Sequence, residues 1–289
     1  MSGERRHLSA ILDAALAAVE PGAAVRAALL RRGSALVCGG DVFPVAGQVA
    51  VLAIGKAAVP MTRAALDIAG ELVGGGLAVT HARPPGLDRI GPVQVREAGH
   101  PLPDRRGAEA ASELAVLASG LGADDLALLL LSGGGSALST LPADGLDLDD
   151  LIATTDALLK GGAAIDELNA VRKHLTALSG GRLARLADPA PVLALALSDV
   201  PGDRLDVIAS GPAAADPSTY GDALAVLDRR SAAGGVPPRV RAHLERGARG
   251  GLPETLEPGD PIFDRVTHAL VGSGAVAAAA AARRAGALG

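Results

Sequence analysis

The sequence predicts an α/β protein with a Rossmann-like fold, in which a mostly parallel sheet carries helices on both faces in a three-layer α/β/α arrangement. Short apolar runs typical of β-strands alternate with Ala- and Leu-rich segments of helical period, and this alternation is the pattern of β-α-β units. Most of the runs are apolar throughout, as in "LALLLLSG" at residues 126–133, which is typical of strands that are covered on both faces.

The predicted elements follow one another along the whole chain. Residues 5–33 have a helical period, interrupted at "EPGA" (20–23) because proline and glycine break helices. Apolar runs then predict strands at residues 49–55, 76–82, 93–99, 126–133, 191–200 and 268–274. Helical segments are predicted near residues 57–70, 106–119, 148–160, 164–178, 221–230 and 275–286. Residues 234–261 predict a loop-rich segment with one short helix, and there is no internal repeat.

Composition argues against several classes of partner. The net charge is -5, and Phe43, Tyr220 and Phe263 are the only aromatic residues, so neither a basic surface nor a stacking platform is available for nucleic acid. The single cysteine, Cys38, excludes an intrachain disulfide and is typical of a reducing compartment. No apolar run approaches the roughly 20 residues of a membrane span. We therefore expect a cytoplasmic protein with no nucleic-acid or membrane partner.

Polar or small residues follow nearly every predicted strand, and these strand ends carry the candidate chemistry. In a parallel sheet the carboxyl ends of the strands meet at one edge, where ligands bind. The segments that follow the strands are Gly55-Lys56, Thr80-His81, "GHPLPD" (99–104), "SGGGS" (132–136), "SDVPGD" (198–203) and "GSG" (272–274). The sequence therefore predicts a binding site at this edge.

The glycine-rich segment is the first candidate for that site. It is neither a Walker A motif nor a GxGxxG motif, and Leu138 stands where a nucleophile elbow requires glycine. Glycines can adopt positive φ and let backbone N–H groups converge on an anion, so we predict phosphate or carboxylate binding. The residues concerned are Ser132, Gly133, Gly134, Gly135 and Ser136.

Lys56, Asp199 and Asp203 are the charged candidates at the strand ends. A lysine at the start of a helix is unfavourable because the helix dipole places positive charge there. An anion bound between the lysine and the helix amino terminus would explain this placement. The alternative is a lysine that is exposed to water. Asp199 can accept a proton from a substrate hydroxyl, and both carboxylates can bind Mg²⁺. The alternative is that they serve as a helix cap and a turn residue.

A helical segment and a second turn supply the remaining candidates. Asn169, Arg172 and Lys173 share one predicted helical face, on which Arg172 can clamp a carboxylate; a solvated face is the alternative. Ser210 and Gly211 form a Ser-Gly-Pro turn that is a further candidate ligand contact.

Taken together, these motifs resemble the bacterial glycerate 2-kinases, the MOFRL-type kinases that are sometimes labelled hydroxypyruvate reductases. The resemblance runs from about residue 8 to the last residue, with the motifs in the family's order and spacing. They are "GKAA" (55–58), "AGHPLPD" (98–104), "DDLALLLLSGGGSAL" (124–138), "LLKGGAAIDELNAVRKHLT" (158–176), "GGRLA" (180–184), "LSDVPGD" (197–203) and "IASGP" (208–212).

The resemblance implies ATP-dependent phosphorylation of D-glycerate at its 2-hydroxyl, with Mg²⁺, in a cleft between two α/β domains. Carried onto this sequence, Lys56 neutralises charge on the phosphoryl group or the glycerate, and residues 132–136 cradle phosphate or carboxylate. Arg172 and Lys173 add positive charge, and Asp199 orients the hydroxyl or coordinates the metal. Phosphoryl transfer depends mainly on such positioning and charge neutralisation.

The sequence departs from the family pattern in several places. Ser179 stands where the family has lysine, and Ala213 where it has threonine. We interpret residues 1–289 as the N-terminal α/β domain and expect the smaller C-terminal MOFRL domain to be absent, so that the site is half complete unless that domain acts in trans or the chain forms a homo-oligomer. The alternative function is a stand-alone or degenerate module that binds a small anion without kinase activity. A nicotinamide-dependent reductase is disfavoured because no GxGxxG precedes an acidic residue by about 20 positions.

Overall fold

The computed structural model describes residues 3–230 and 235–289. Within them, the strands are β1 (Leu29–Arg32), β2 (Ala35–Cys38), β3 (Asp41–Pro44), β4 (Val49–Ile54), β5 (Val73–Thr80), β6 (Arg89–Ile90), β7 (Val93–Glu97), β8 (Leu126–Ser132), β9 (Val192–Leu197) and β10 (Val266–Gly272). The helices are α1 (Gly3–Ala18), α2 (Pro21–Ala28), α3 (Ala58–Ala69), α4 (Arg105–Ser119), α5 (Gly135–Leu138), α6 (Leu148–Lys160), α7 (Ile165–His174), α8 (Arg182–Ala187), α9 (Tyr220–Arg230), α10 (Pro238–Ala248) and α11 (Gly274–Gly286).

The central sheet has seven strands in the order β10-β9-β8-β4-β5-β7-β6. Every neighbouring pair is parallel except β6 and β7. From β4 the chain adds β5 and β7 on one side, and then returns to add β8, β9 and β10 on the other. The order therefore reverses between β4 and β8, and a crevice opens at such a switch point beyond the carboxyl ends of the strands.

Helices cover both faces of this sheet, and β8 shows how its sequence produces the two cores. Leu129 and Leu131 belong to the cluster on one face, whereas Leu128 and Leu130 belong to the cluster on the other. Successive side chains of a strand point to opposite faces, so a strand covered on both sides must be apolar at every position. The predicted three-layer α/β/α class is confirmed.

A third apolar cluster lies among helices α6, α7, α9 and α10. Its fully buried members include Leu158, Val171, Leu227 and Leu244, and Tyr220 packs with them. The cluster fixes α7 by its apolar side, so that the polar residues on the other sides of this helix can face neighbouring loops.

Most predicted elements are confirmed with boundaries shifted by a few residues, and one is wrong. The predicted helix between residues 24 and 33 ends at Ala28, and residues 29–32 form strand β1. The three-stranded antiparallel sheet β1-β2-β3 was not predicted, because strands of four residues show no clear period. The turn at Gly39-Gly40, with φ of 61° and 98°, is a two-residue hairpin of the kind that such glycine pairs favour.

The loop-rich segment at residues 234–261 is confirmed from residue 235 onward, with α10 as its short helix; residue 234 lies outside the described residues. In the described part of the chain, no single helix is long and apolar enough to cross a membrane. Only α1 and α2 taken together reach that length, and they are bent by 48° from one another.

Candidate active site at the carboxyl edge of the sheet

A cleft lies at the switch point between β4 and β8. A cavity of about 630 Å³ opens there, beyond the ends of β4, β8, β9 and β10. Five of the predicted site residues line it: Lys56, Ser132, Gly133, Asp199 and Asp203. The structure thus brings together side chains that are far apart in the sequence.

The glycine loop approaches its neighbours so closely that side chains are excluded from it. A Cβ atom on Gly133 would collide with the carboxylate of Asp199. Gly134 has a φ of 88°, and a Cβ atom there would lie 2.9 Å from Cδ2 of His100 and 3.2 Å from Cε of Lys56. The glycines therefore bring backbone against a cation, an imidazole and a carboxylate, and Gly134 has the positive φ that the sequence predicted.

Two hydrogen bonds join the loop after β8 to the loop after β4. The backbone N–H of Lys56 donates to the carbonyl oxygen of Gly133 at 3.0 Å, and the N–H of Ala57 donates to Oγ of Ser132 at 3.0 Å. Ser132 is buried, so its hydroxyl fixes the backbone beside Lys56 while its own hydrogen is free to donate.

His100, on the loop between β7 and α4, was not among the predicted site residues. Its ring lies against Gly134, and its centroid is 6.1 Å from that of His81. Burial, followed by the charges of Lys56 and His81, lowers the pKa of His100, and Asp199 opposes this effect. A neutral imidazole at neutral pH can accept a proton. The indication in the sequence was its position after a strand, in "GHPLPD" (99–104).

Asp199 and Asp203 offer the carboxylate ligands that a magnesium ion shared with phosphate groups takes. Such an ion keeps several waters and takes one or two carboxylates together with the phosphates, and both of these carboxylates line one cavity. The described residues contain no group of three or more His, Cys, Asp or Glu that could hold a metal. The donor set therefore fits an ion that arrives with a nucleotide better than an ion held by protein groups alone.

The amino terminus of α11 forms the opposite wall of the cavity, which Ser273 and Gly274 line. Oγ of Ser273 accepts a hydrogen bond from the N–H of Val276 and caps the helix. The first N–H groups and the dipole of a helix of this length favour an anion. Ser273 was not among the predicted site residues, although "GSG" (272–274) was identified as a strand end.

A second, smaller cavity of about 50 Å³ contains a different group of the predicted residues. Arg172, Ser136 and Ser210 line it, together with Thr176 and Ser179. Oγ of Ser210 donates to Oγ of Ser136 at 2.7 Å. Ser179 thus lies in the same cavity as Arg172.

The structure does not bring Lys173, Asn169 or Gly211 to either of these cavities. The ammonium of Lys173 lies 3.1 Å from Oδ1 of Asp216 and 3.3 Å from Oδ2 of Asp206. Asn169 lines the adjacent cavity, which both carboxylates share. Gly211, with a φ of 59°, packs against the backbone of Asp206. The predicted shared face divides in two, because Asn169 and Lys173 face one side and Arg172 the other.

Comparison with known proteins identifies the family. Residues 7–245 match the family described as a domain of unknown function, DUF4147. The chain belongs to this family. A glycerate 2-kinase of Pyrococcus horikoshii is 41% identical over 280 residues, which are 96% of this chain and 62% of that protein. A D-glycerate 2-kinase of Thermotoga maritima is 47% identical over 185 residues, 63% of this chain and 43% of that protein.

A solved structure of a glycerate kinase also resembles this DUF4147 domain. The crystal structure of a glycerate kinase from Thermotoga maritima superposes with a TM-score of 0.80 at 36% identity, covering 98% of this chain and 62% of that one. The resemblance to glycerate 2-kinases is confirmed by these relatives. The DUF4147 chain spans less than two thirds of the length of each of them.

Proposed function

We propose that this DUF4147 domain takes part in the ATP-dependent phosphorylation of D-glycerate to 2-phosphoglycerate. One observation carries the proposal: Lys56, His100 and Asp199 meet at the glycine loop, at the switch point of the sheet, beside an open cavity. The relatives from Pyrococcus horikoshii and Thermotoga maritima are a glycerate 2-kinase and a D-glycerate 2-kinase, and they indicate the substrate class.

The chemistry needs an acceptor, a charge clamp and a base. The 2-hydroxyl oxygen of glycerate forms a bond to the γ-phosphorus of ATP, the bond from that phosphorus to the β,γ-bridging oxygen breaks, and ADP leaves. Lys56 offsets negative charge on the transferred group. Electrostatic groups that are already in place need no reorganisation during the reaction, so they stabilise charge that develops in the transition state.

The hydroxyl proton needs an acceptor, and His100, whose ring lies against Gly134 of the glycine loop, can serve as one. Its lowered pKa leaves Nε2 or Nδ1 unprotonated at neutral pH, and Asp199 supplies a nearby negative charge that stabilises the imidazolium once the proton has moved. Asp199 and Asp203 would hold Mg²⁺, which when bound offsets charge on the phosphate oxygens. Ser273 and the first N–H groups of α11 would hold further phosphate oxygens.

A coupled assay for ADP formation with D-glycerate tests the proposal. We expect turnover with D-glycerate and none with glycerol, and loss of turnover in Lys56→Met. The relatives are longer than this chain, so the assay is run with the chain alone and again with the remaining part of a full-length relative added in trans.

The outcomes of the two assay arms separate the hypotheses. Turnover by the chain alone would show that it holds a complete site. Turnover only after the addition would show that the site is shared between two polypeptides. Binding of glycerate with no turnover in either arm would contradict the proposal and favour a module that binds a small anion.

A further inference from the structure

We infer that the small cavity around Arg172 is the carboxylate subsite of the acceptor, and that it selects short 2-hydroxy carboxylates. This inference rests on the proposed function for its biological meaning, but its test does not depend on phosphoryl transfer. Among the described residues, none lines both this cavity and the larger cleft.

The guanidinium of Arg172 has no anionic partner among the described residues. Burial lowers the pKa of its guanidinium, and no carboxylate of the described residues raises it or forms an ion pair with it. Removing an arginine from water without an anionic partner is unfavourable. The arrangement is explained if an anion completes it, and a guanidinium can hold a carboxylate through two parallel hydrogen bonds.

The hydroxyl of Thr176, two residues beyond the end of α7, is a second unpaired polar group at this cavity. Thr176 is buried and lines the same cavity, and its Oγ1 has no hydrogen-bond partner among the described residues. An unpaired buried hydroxyl is rare and lowers stability. It is independent of the charge on Arg172, and it provides a donor to the same anion.

The other residues that line the cavity are hydroxyl-bearing or apolar. Ser136 and Ser210 contribute hydroxyls, while Pro101, Leu151 and Ile152 form apolar walls. None of the residues that line it is an aspartate or a glutamate, so a cationic ligand has no counter-charge. Apolar walls also strengthen an ion pair by lowering the local dielectric constant.

The size of the cavity limits the ligand. About 50 Å³ is room for only a few atoms, since a single water needs about 10–15 Å³ on this measure. A carboxylate and the carbon beside it fit, and the rest of the molecule must point outward. Two chain segments lead from this cavity to the glycine loop and to His100, because Ser136 lies two residues after Gly134 and Pro101 directly follows His100. In the proposed arrangement, the carbon beside the carboxylate and its hydroxyl extend toward these residues.

Binding without nucleotide tests this inference. Calorimetric titration of the chain with D-glycerate, glycolate, glycerol and inorganic phosphate measures each affinity separately. We expect D-glycerate and glycolate to bind and glycerol not to bind. Arg172→Gln should weaken D-glycerate at least tenfold, while the matched control Arg185→Gln, on an exposed arginine of α8, should not. Thr176→Val should weaken D-glycerate severalfold while the protein stays as stable as the parent.

Several results would overturn the inference. They are D-glycerate affinity unchanged in Arg172→Gln, equal affinity for glycerol and D-glycerate, no binding of D-glycerate by the parent chain, or loss of phosphate rather than glycerate affinity in Arg172→Gln. Binding that behaves as expected in a chain that transfers no phosphate would contradict only the proposed kinase function. Turnover whose KM for glycerate is unchanged by Arg172→Gln would contradict only the subsite.

Discussion

Arg172 and Lys173 are neighbours on α7, yet their surroundings are opposite. The side chain of Lys173 is 4% exposed and lies between Asp206 and Asp216, and burial of Asp206 is outweighed by hydrogen bonds and charges from Arg204 and Lys173, which lower the pKa of Asp206. Arg172 faces a cavity that has no carboxylate in its lining.

A cation that is paired within the fold has a structural role, whereas an unpaired cation at a cavity is available to bind a ligand. Successive residues on a helix point about 100° apart, so two adjacent cations can enter different environments. A buried cation with two carboxylates is neutralised within the fold. A partly buried cation without a carboxylate partner can still gain a favourable interaction by binding an anion.

The largest expected effect is on stability, at Lys173. Lys173→Met leaves the fully buried Asp216 without its cation, and breaking a buried pair from one side costs about 3–5 kcal/mol. Arg172→Met, its neighbour, should change the free energy of unfolding by less than about 1 kcal/mol, since no partner is left behind. Urea denaturation at neutral pH measures both. Similar losses in the free energy of unfolding would show that the two cations do not differ in pairing.

The next effect is on activity, at Gly134. Gly134→Ala and Gly145→Ala each place a side chain at a positive φ, 88° and 84°, and each should lose about 1–2 kcal/mol of stability. Nothing lies within 4 Å of a Cβ atom on Gly145, whereas one on Gly134 meets His100 and Lys56. Displacement of reacting groups by about 1 Å can cost about 100-fold in rate, so we expect this loss of kcat/KM only in Gly134→Ala. Equal activities would show that the loop lies outside the reaction centre.

A smaller effect concerns pH. The protonated form of His100 is inactive as a base, so kcat/KM should fall as the pH drops through the pKa of His100, which lies below its ordinary 6.5. Asp199 raises this pKa and Lys56 lowers it. The acidic limb of the profile should therefore move to lower pH in Asp199→Asn. In Lys56→Met, which we expect to lose turnover, NMR titration of His100 should show a pKa higher than in the parent. A limb that stays in place in Asp199→Asn, together with an unchanged pKa in Lys56→Met, would contradict the role of His100.

The smallest effect distinguishes two buried threonines. Oγ1 of Thr154 donates to the carbonyl oxygen of Asp150 at 2.7 Å, so Thr154→Val should lose about 1 kcal/mol of stability. Oγ1 of Thr176 has no partner, so Thr176→Val should leave the free energy of unfolding unchanged or raise it. Thermal and urea unfolding of the two variants measure the difference. A larger loss at Thr176 than at Thr154 would show that its hydroxyl already has a structural role.

Much of the fold follows from patterns within single segments. The continuous apolar runs of β4, β8 and β9 predicted strands covered on both faces, because helices on each side leave no position in them for a polar residue. The glycines of residues 132–136 predicted a backbone with positive φ, which Gly134 adopts, since glycine tolerates this conformation without steric cost. The strand β1 escaped prediction because its four residues are too few to show a period.

Apolar periodicity and strand-end residues are local properties of the chain, so the sequence alone predicted the fold class and the sheet edge that carries the candidate site. The packing of distant segments brings His100 to Lys56, and it leaves Arg172 at a cavity while Asp206 and Asp216 neutralise Lys173. These contacts could not be predicted from the sequence, because the partners of each group come from segments far away along the chain. Whether a charge is paired depends on which segments pack against it, and no local pattern contains that information.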